Sequence, residues 1–233
     1  MFGLTTVGVL SALWLDVGTA GGGFQYEVTI TNLTRGQIFS PAVVATHKRQ
    51  LQPLFTLGSP ASDELVAIAE DAVSEPLMTA LSESSQVKAV ALITGENGPI
   101  LPGETASVII QAGGSFRHVT LVGMLVTTND AFYALNGVQG PPSGAVIFNS
   151  PGYDAGSENN NENCDFIPGP PCGNPGVRDT VGAEGTVHIH AGIHNLDDLQ
   201  PSESDWRNPV ATISIRRLNG QGDDDDDDDD DDD

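Results

Sequence analysis

Residues 24–33, FQYEVTITNL, alternate strictly: Tyr26, Val28 and Ile30 point one way, Gln25, Glu27 and Thr29 the other. A period of two belongs to a β-strand with one buried face, and no helix satisfies it. The same alternation returns in WRNPVATISIRRL (206–218), where Ala211, Ile213 and Ile215 alternate with Thr212, Ser214 and Arg216. Between these two lie PAVVATH (41–47), VKAVALI (87–93), TASVIIQ (105–111) and HVTLVGMLVT (118–127), separated by turns such as GENGPILPGE (95–104). Short apolar runs bounded by Gly, Pro and Asn read as strands joined by hairpins. The expected fold is an all-β, antiparallel β-sandwich of C2-like kind over 24–218, with one helical excursion around 63–83. The 27 Gly and 15 Pro suit such a loop-rich chain. In the excursion Ser62 caps, Asp63 and Glu64 fill the first turn, and Leu65, Ile68, Ala69, Ala72 and Val73 recur at helical spacing. Pro76 is expected to kink or split this helix, and its acidic face to be solvated.

Chemistry concentrates in TTNDAFYALNGV (127–138) and GAVIFNSPGYDAGSENNNENC (144–164). Asp130 follows the apolar run LVGMLV (121–126) and is expected at a strand exit. Pro151, Gly152 and Gly156 place Asp154 and Glu158 in a loop. Calcium takes several oxygen ligands on a pliable backbone, which Asp130, Asp154 and Glu158, with Asn159 to Asn161 behind them, supply. The bland alternative is that these Asp and Asn residues simply make turns.

The run YDAGSE (153–158), with Asp130 upstream, resembles the spondin N-terminal domain family, whose Asp-Ala-Gly-Thr-Asp loop binds calcium with an upstream Asp. IFSPAVVATH (38–47) is similar to that family's Phe-Ser-Pro segment, and 64–83 stands where the family has an Ala/Glu-rich helix. The resemblance spans roughly 24–218 and implies that Asp130, Asp154 and Glu158 are calcium ligands, with Glu158 standing where the family has Asp.

In EGTVHIHAGIHNLDDL (184–199), His188 and His190 lie two apart and so share a strand face, with His194 in the following turn. Three imidazoles so spaced can serve a transition metal; the bland alternative is a polar strand face whose histidines hydrogen-bond to loops. Cys164 and Cys172 are the two cysteines. In an oxidising compartment they are expected to close a short loop as a disulfide. His47, at the end of the second strand, reads as a ligand or as a hydrogen-bonded turn histidine. Asn32-Leu33-Thr34 has the form of a glycosylation acceptor.

Residues 1–23 are apolar and small, read either as a secretory signal ending near Gly18-Thr19-Ala20 or as a retained N-terminal strand. They are short for a membrane span. Residues 219–233 are a Gly linker and an acidic tail, Asp223–Asp233. Of the net charge of −23, that tail supplies 11 of 32 acids, leaving 9 − 21 = −12 for residues 1–222. So acidic a chain disfavours nucleic acid. No G-x-S-x-G is present and the cysteines pair with each other, so nucleophilic catalysis is not expected. The leading expectation is a secreted or cell-surface, calcium-binding adhesion module whose partner is an extracellular protein or glycan. The alternatives are a self-assembling structural subunit that binds copies of itself, and a histidine-metal enzyme.

Overall fold

The computed structural model describes residues 23–218. Residues 1–22 and 219–233 lie outside the described residues, and with them the readings of a secretory signal or retained strand and of the acidic tail. Two antiparallel sheets stack as a sandwich. The four-stranded sheet runs β4 (Thr105–Gly113), β1 (Gly23–Asn32), β10 (Ala211–Leu218), β7 (Ala145–Ser150). The six-stranded sheet runs β3 (Val87–Ile93), β2 (Ala42–His47), β5 (His118–Met124), β6 (Ala131–Gln139), β8 (Tyr153–Asp154), β9 (His188–Ile189).

The four-stranded sheet follows directly from the alternation. Tyr26, Val28 and Ile30 on β1, and Ala211, Ile213 and Ile215 on β10, are all buried, with Val28 opposite Ile215. Their intervening residues face outward, where Arg216 reaches Glu27 at 2.8 Å across the strands.

The six-stranded sheet is buried on both faces, and this is why its central strands read as apolar runs rather than alternating ones. Val44, Leu121 and Tyr133 face the four-stranded sheet and join Tyr26, Ile30, Phe39 and Ile213 in the main core. Their neighbours Val43, Ala45, Val122, Phe132 and Ala134 face the other way, into a second core with Phe55, Leu65, Ile68, Leu77 and Leu81. The helical segment covers that second face.

It does so as two helices rather than one. α1 (Asp63–Asp71) is capped by Ser62, whose hydroxyl accepts from the Leu65 amide at 3.4 Å, and it ends where Ala72 turns left-handed at φ 58°. α2 (Glu75–Glu83) carries Pro76 in its first turn, where a missing N–H is harmless. The acidic face is not wholly solvated as expected: Glu70 is buried and pairs with Arg178 through Nε. Asp71 takes the same guanidinium at 2.8 Å and the Gly176 amide at 2.6 Å, tying the 176–178 loop to the helix end. A short helix α3 (Pro201–Ser204) precedes β10.

Asn32 of the glycosylation-like triplet is fully buried, and its Nδ2 donates to the Gln37 and Ile100 carbonyls at 2.8 and 3.1 Å. Its side chain holds loops together and is not open to modification. His47 is likewise buried, with Nδ1 2.8 Å from the Lys48 carbonyl, the turn-histidine arrangement.

Candidate metal centre

The edge of the six-stranded sheet brings the chemistry-bearing residues together. Asp130 immediately precedes β6, and Ala131 pairs with Asp154 on β8. Asp154 in turn pairs with His188 on β9. Directly opposed residues on antiparallel strands place their side chains on one face, about 4.5–5.5 Å apart at Cβ. Asp154 therefore sits on a two-residue strand rather than in the open loop that its Gly/Pro surroundings predict, while Glu158 lies in the loop beyond it.

Asp130 is fully buried. Its Oδ2 accepts from the Ser157 amide at 2.8 Å, the Ser157 hydroxyl at 3.1 Å and the Glu158 amide at 3.0 Å. Its Oδ1 has no hydrogen-bond partner among the described residues. Burial raises its pKa against those hydrogen bonds. Asp154 Oδ1 accepts from the Gly156 amide at 2.7 Å, and Oδ2 from Asn160 Nδ2 at 2.6 Å. Burial, then the charge of Asp130, pushes the Asp154 carboxyl up to about 7. Glu158 accepts from the Asp179 amide at 2.9 Å. Burial pushes it up to about 8, with Glu70 and Asp130 adding like charge and Arg178 opposing.

Asp130, Asp154 and Glu158 are all buried, and the charge of Asp130 bears on each of the other two, but among the described residues the three do not form a group whose ligand atoms all lie within 4.8 Å of one another. Arg178 is the single Lys or Arg between Arg117 and Arg207. It answers Glu70 and Asp71 directly and the rest only at a distance. The asparagines behind Asp154 join the loops to one another: Asn161 Oδ1 accepts from the Asn163 amide at 2.9 Å, and its Nδ2 donates to Asp179 at 2.9 Å.

The tightest set of ligand-type atoms draws on both expected sites and adds a residue. Among the described residues, one ligand atom each from Asp154, Glu184 and His188 lies within 4.8 Å of the others. Asp130 and Glu158 are not in that set. The three histidines of the sequence motif take different parts. His188 Nε2 stands 3.7 Å from Asp154 Oδ2. His190 is buried, and its Nδ1 accepts from the Gly192 amide at 2.9 Å, so Nε2 carries the proton and donates to Asn160 Oδ1 at 3.0 Å. Burial depresses its pKa to about 3, keeping it neutral. Both its nitrogens are engaged, which leaves no lone pair for a metal. The His194 ring is exposed, and its amide donates to Glu162 at 2.5 Å. A pocket of about 120 Å³ opens beside these residues, with Asp154, Asn160, Glu184, His188 and His190 in its wall.

Glu162 is the residue that sequence reasoning passes over most completely. It is buried, holds φ 60°, and its two oxygens cap the His194 and Leu196 amides at 2.5 and 2.8 Å. The chain 32 residues further on is thereby fixed to the acidic loop. Cys164 and Cys172 form the expected disulfide, closing the loop that follows Glu162.

No protein-family model matches the chain, and no curated protein matches it.

Proposed function

We propose that this chain is an extracellular recognition module, a β-sandwich in which calcium held by Asp130, Asp154 and Glu158 fixes the loops at one end. The observation that carries the reading is Asp130, a fully buried carboxylate with one oxygen unpartnered. An ionised group left so costs several kcal/mol unless a cation answers it. Asp154 and Glu158 lie beside it with their ionisation opposed by the same burial. An all-oxygen donor set of carboxylates on a loop containing Gly156 suits a hard cation. The resemblance of YDAGSE (153–158), with Asp130 upstream, to the spondin N-terminal domain implies the same three residues as ligands. The Cys164–Cys172 bond supports an oxidising compartment, where free calcium is plentiful.

Calcium in this reading acts on presentation: it locks the loop of 155–163 against β6, and the loop surface contacts the partner. The test is an array of extracellular-matrix proteins and glycans, probed with the full chain in calcium and in chelator. Binding that needs calcium, and that is lost in Asp130→Asn, supports the proposal. Binding indifferent to both overturns it.

A further inference from the structure

We propose that the outer side of Asp154 forms a second cation seat, made with His188 and Glu184, that takes a zinc-class transition metal rather than calcium. The inference shares Asp154 with the reading above but rests on different atoms and a different donor type.

The backbone fixes which nitrogen of His188 carries a hydrogen. Its Nδ1 lies 2.9 Å from the Thr186 carbonyl, which only accepts, so Nδ1 carries the hydrogen. In the neutral ring the lone pair is then on Nε2, which faces the Asp154 carboxylate at 3.7 Å. Two acceptors facing each other need a proton or a metal cation between them. An imidazole whose far nitrogen donates to a backbone carbonyl is the arrangement in which metal-binding histidines are held. The separation also suits the purpose: metal bonds of about 2.0–2.1 Å in a tetrahedron put neighbouring ligand atoms roughly 3.4 Å apart.

Behind the ligands stands a support that no calcium reading requires. Neutral His190 donates to Asn160 Oδ1 at 3.0 Å, which orients that amide. Asn160 Nδ2 then bridges both carboxylates, Asp154 at 2.6 Å and Glu184 at 3.2 Å. One amide thus sets the angle between the two acidic ligands. A site of one imidazole and two carboxylates, open to a pocket on one side, matches borderline metals, whereas calcium prefers oxygen alone.

The rival is a plain ion pair, protonated His188 on Asp154. Calorimetric titration of the full chain with zinc, in calcium sufficient to fill its other acidic groups, separates them. The variants are His188→Gln, which is partly exposed and replaces no core contact, and Asp130→Asn. The expected result is a zinc site of unit stoichiometry in the parent, weakened at least tenfold in His188→Gln and kept in Asp130→Asn. Melting in calcium against chelator is read on the same proteins, and His188→Gln should keep its calcium shift. Zinc binding that is equal in parent and His188→Gln, or no discrete zinc site in the parent, overturns the second seat. Loss of the calcium shift in the parent while His188-dependent zinc binding persists overturns the calcium reading and leaves this one standing.

Discussion

Gly156 joins the two halves of the proposed centre, and replacing it with alanine is a demanding test of the geometry. The residue holds φ 68°, and a Cβ there would stand 2.4 Å from the Thr186 carbonyl oxygen and 2.5 Å from its nitrogen. Left-handed backbone costs an L-residue about 1–2 kcal/mol. The overlap is with backbone, so the segment before β9 must move. Moving it breaks the Gly185 amide bond to the Gly156 carbonyl, now 2.8 Å, and disturbs the Gly156 amide on Asp154 at 2.7 Å. Two such bonds, one to a carboxylate, add about 2–3 kcal/mol. The expected loss is about 4 kcal/mol, or roughly 8–16 °C in melting temperature for a domain of this size. Gly144→Ala is the internal control. Gly144 has φ 64° but no heavy atom within 4 Å of its would-be Cβ, so only the backbone preference is at stake. Its expected loss is about 1–2 kcal/mol. Scanning calorimetry of both variants in chelator reads the difference. Equal losses would refute the packing of Gly156 on Thr186, and with it the junction of Asp154 and His188.

The remaining predictions concern charge, capping and the crosslink. In chelator, folded Asp154 and Glu158 hold protons up to about 7 and about 8. The unfolded chain releases them near pH 4. Raised folded values mean that this contribution to stability is full below about pH 4 and falls as pH rises towards 8, at up to about 1.4 kcal/mol per unit and group. Saturating calcium should flatten that slope, and denaturant midpoints across the pH range, with and without calcium, check both statements. Glu162→Gln sets an amide group against the His194 or Leu196 amide, for a loss of about 2–3 kcal/mol. Hydrogen exchange at those two amides should quicken roughly a hundredfold, and unchanged exchange would remove Glu162 from its capping role. Reduction of the Cys164–Cys172 bond should destabilise by about 2–3 kcal/mol, as expected for so short a loop. Melting with and without reductant reads it.

The outer strands β1 and β10 were legible because each keeps one face in water, so the pleat prints itself on the sequence. β2 and β5 showed their apolar character but not their second buried face, and β6 and β7 were not read as strands at all. A residue such as Val43 looks the same whether it meets the opposite sheet or a helix. The helical stretch was visible, yet its break at Ala72 was not. Alanine is an ordinary helix former, and only the packing of both pieces on the sheet requires it to turn left-handed. Glu70 was misjudged as solvated because its partner, Arg178, comes from a distant loop, although a lone cation in an acidic stretch was a usable signal. Asp130, Asp154 and Glu158 were singled out from residue type and motif. Glu184 and the orienting role of Asn160 were not, since both depend on a two-residue ladder between Asp154 and His188. Two residues are too few to leave a periodic trace.

Melting of the full chain across calcium concentrations, beside Asp154→Asn, tests most directly whether the buried acids hold a cation. The substitution keeps the size and one carbonyl oxygen of the side chain and removes the charge. The run Asp223–Asp233 is present in both proteins, so its own affinity for ions cancels in the comparison. At a hundred times the dissociation constant, calcium should stabilise the parent by about 2.7 kcal/mol. That is roughly 5–11 °C for a domain of this size. A shift of that order in the parent and little or none in Asp154→Asn is the predicted result. Equal shifts in the two proteins, or none in either, would contradict a calcium centre at Asp154.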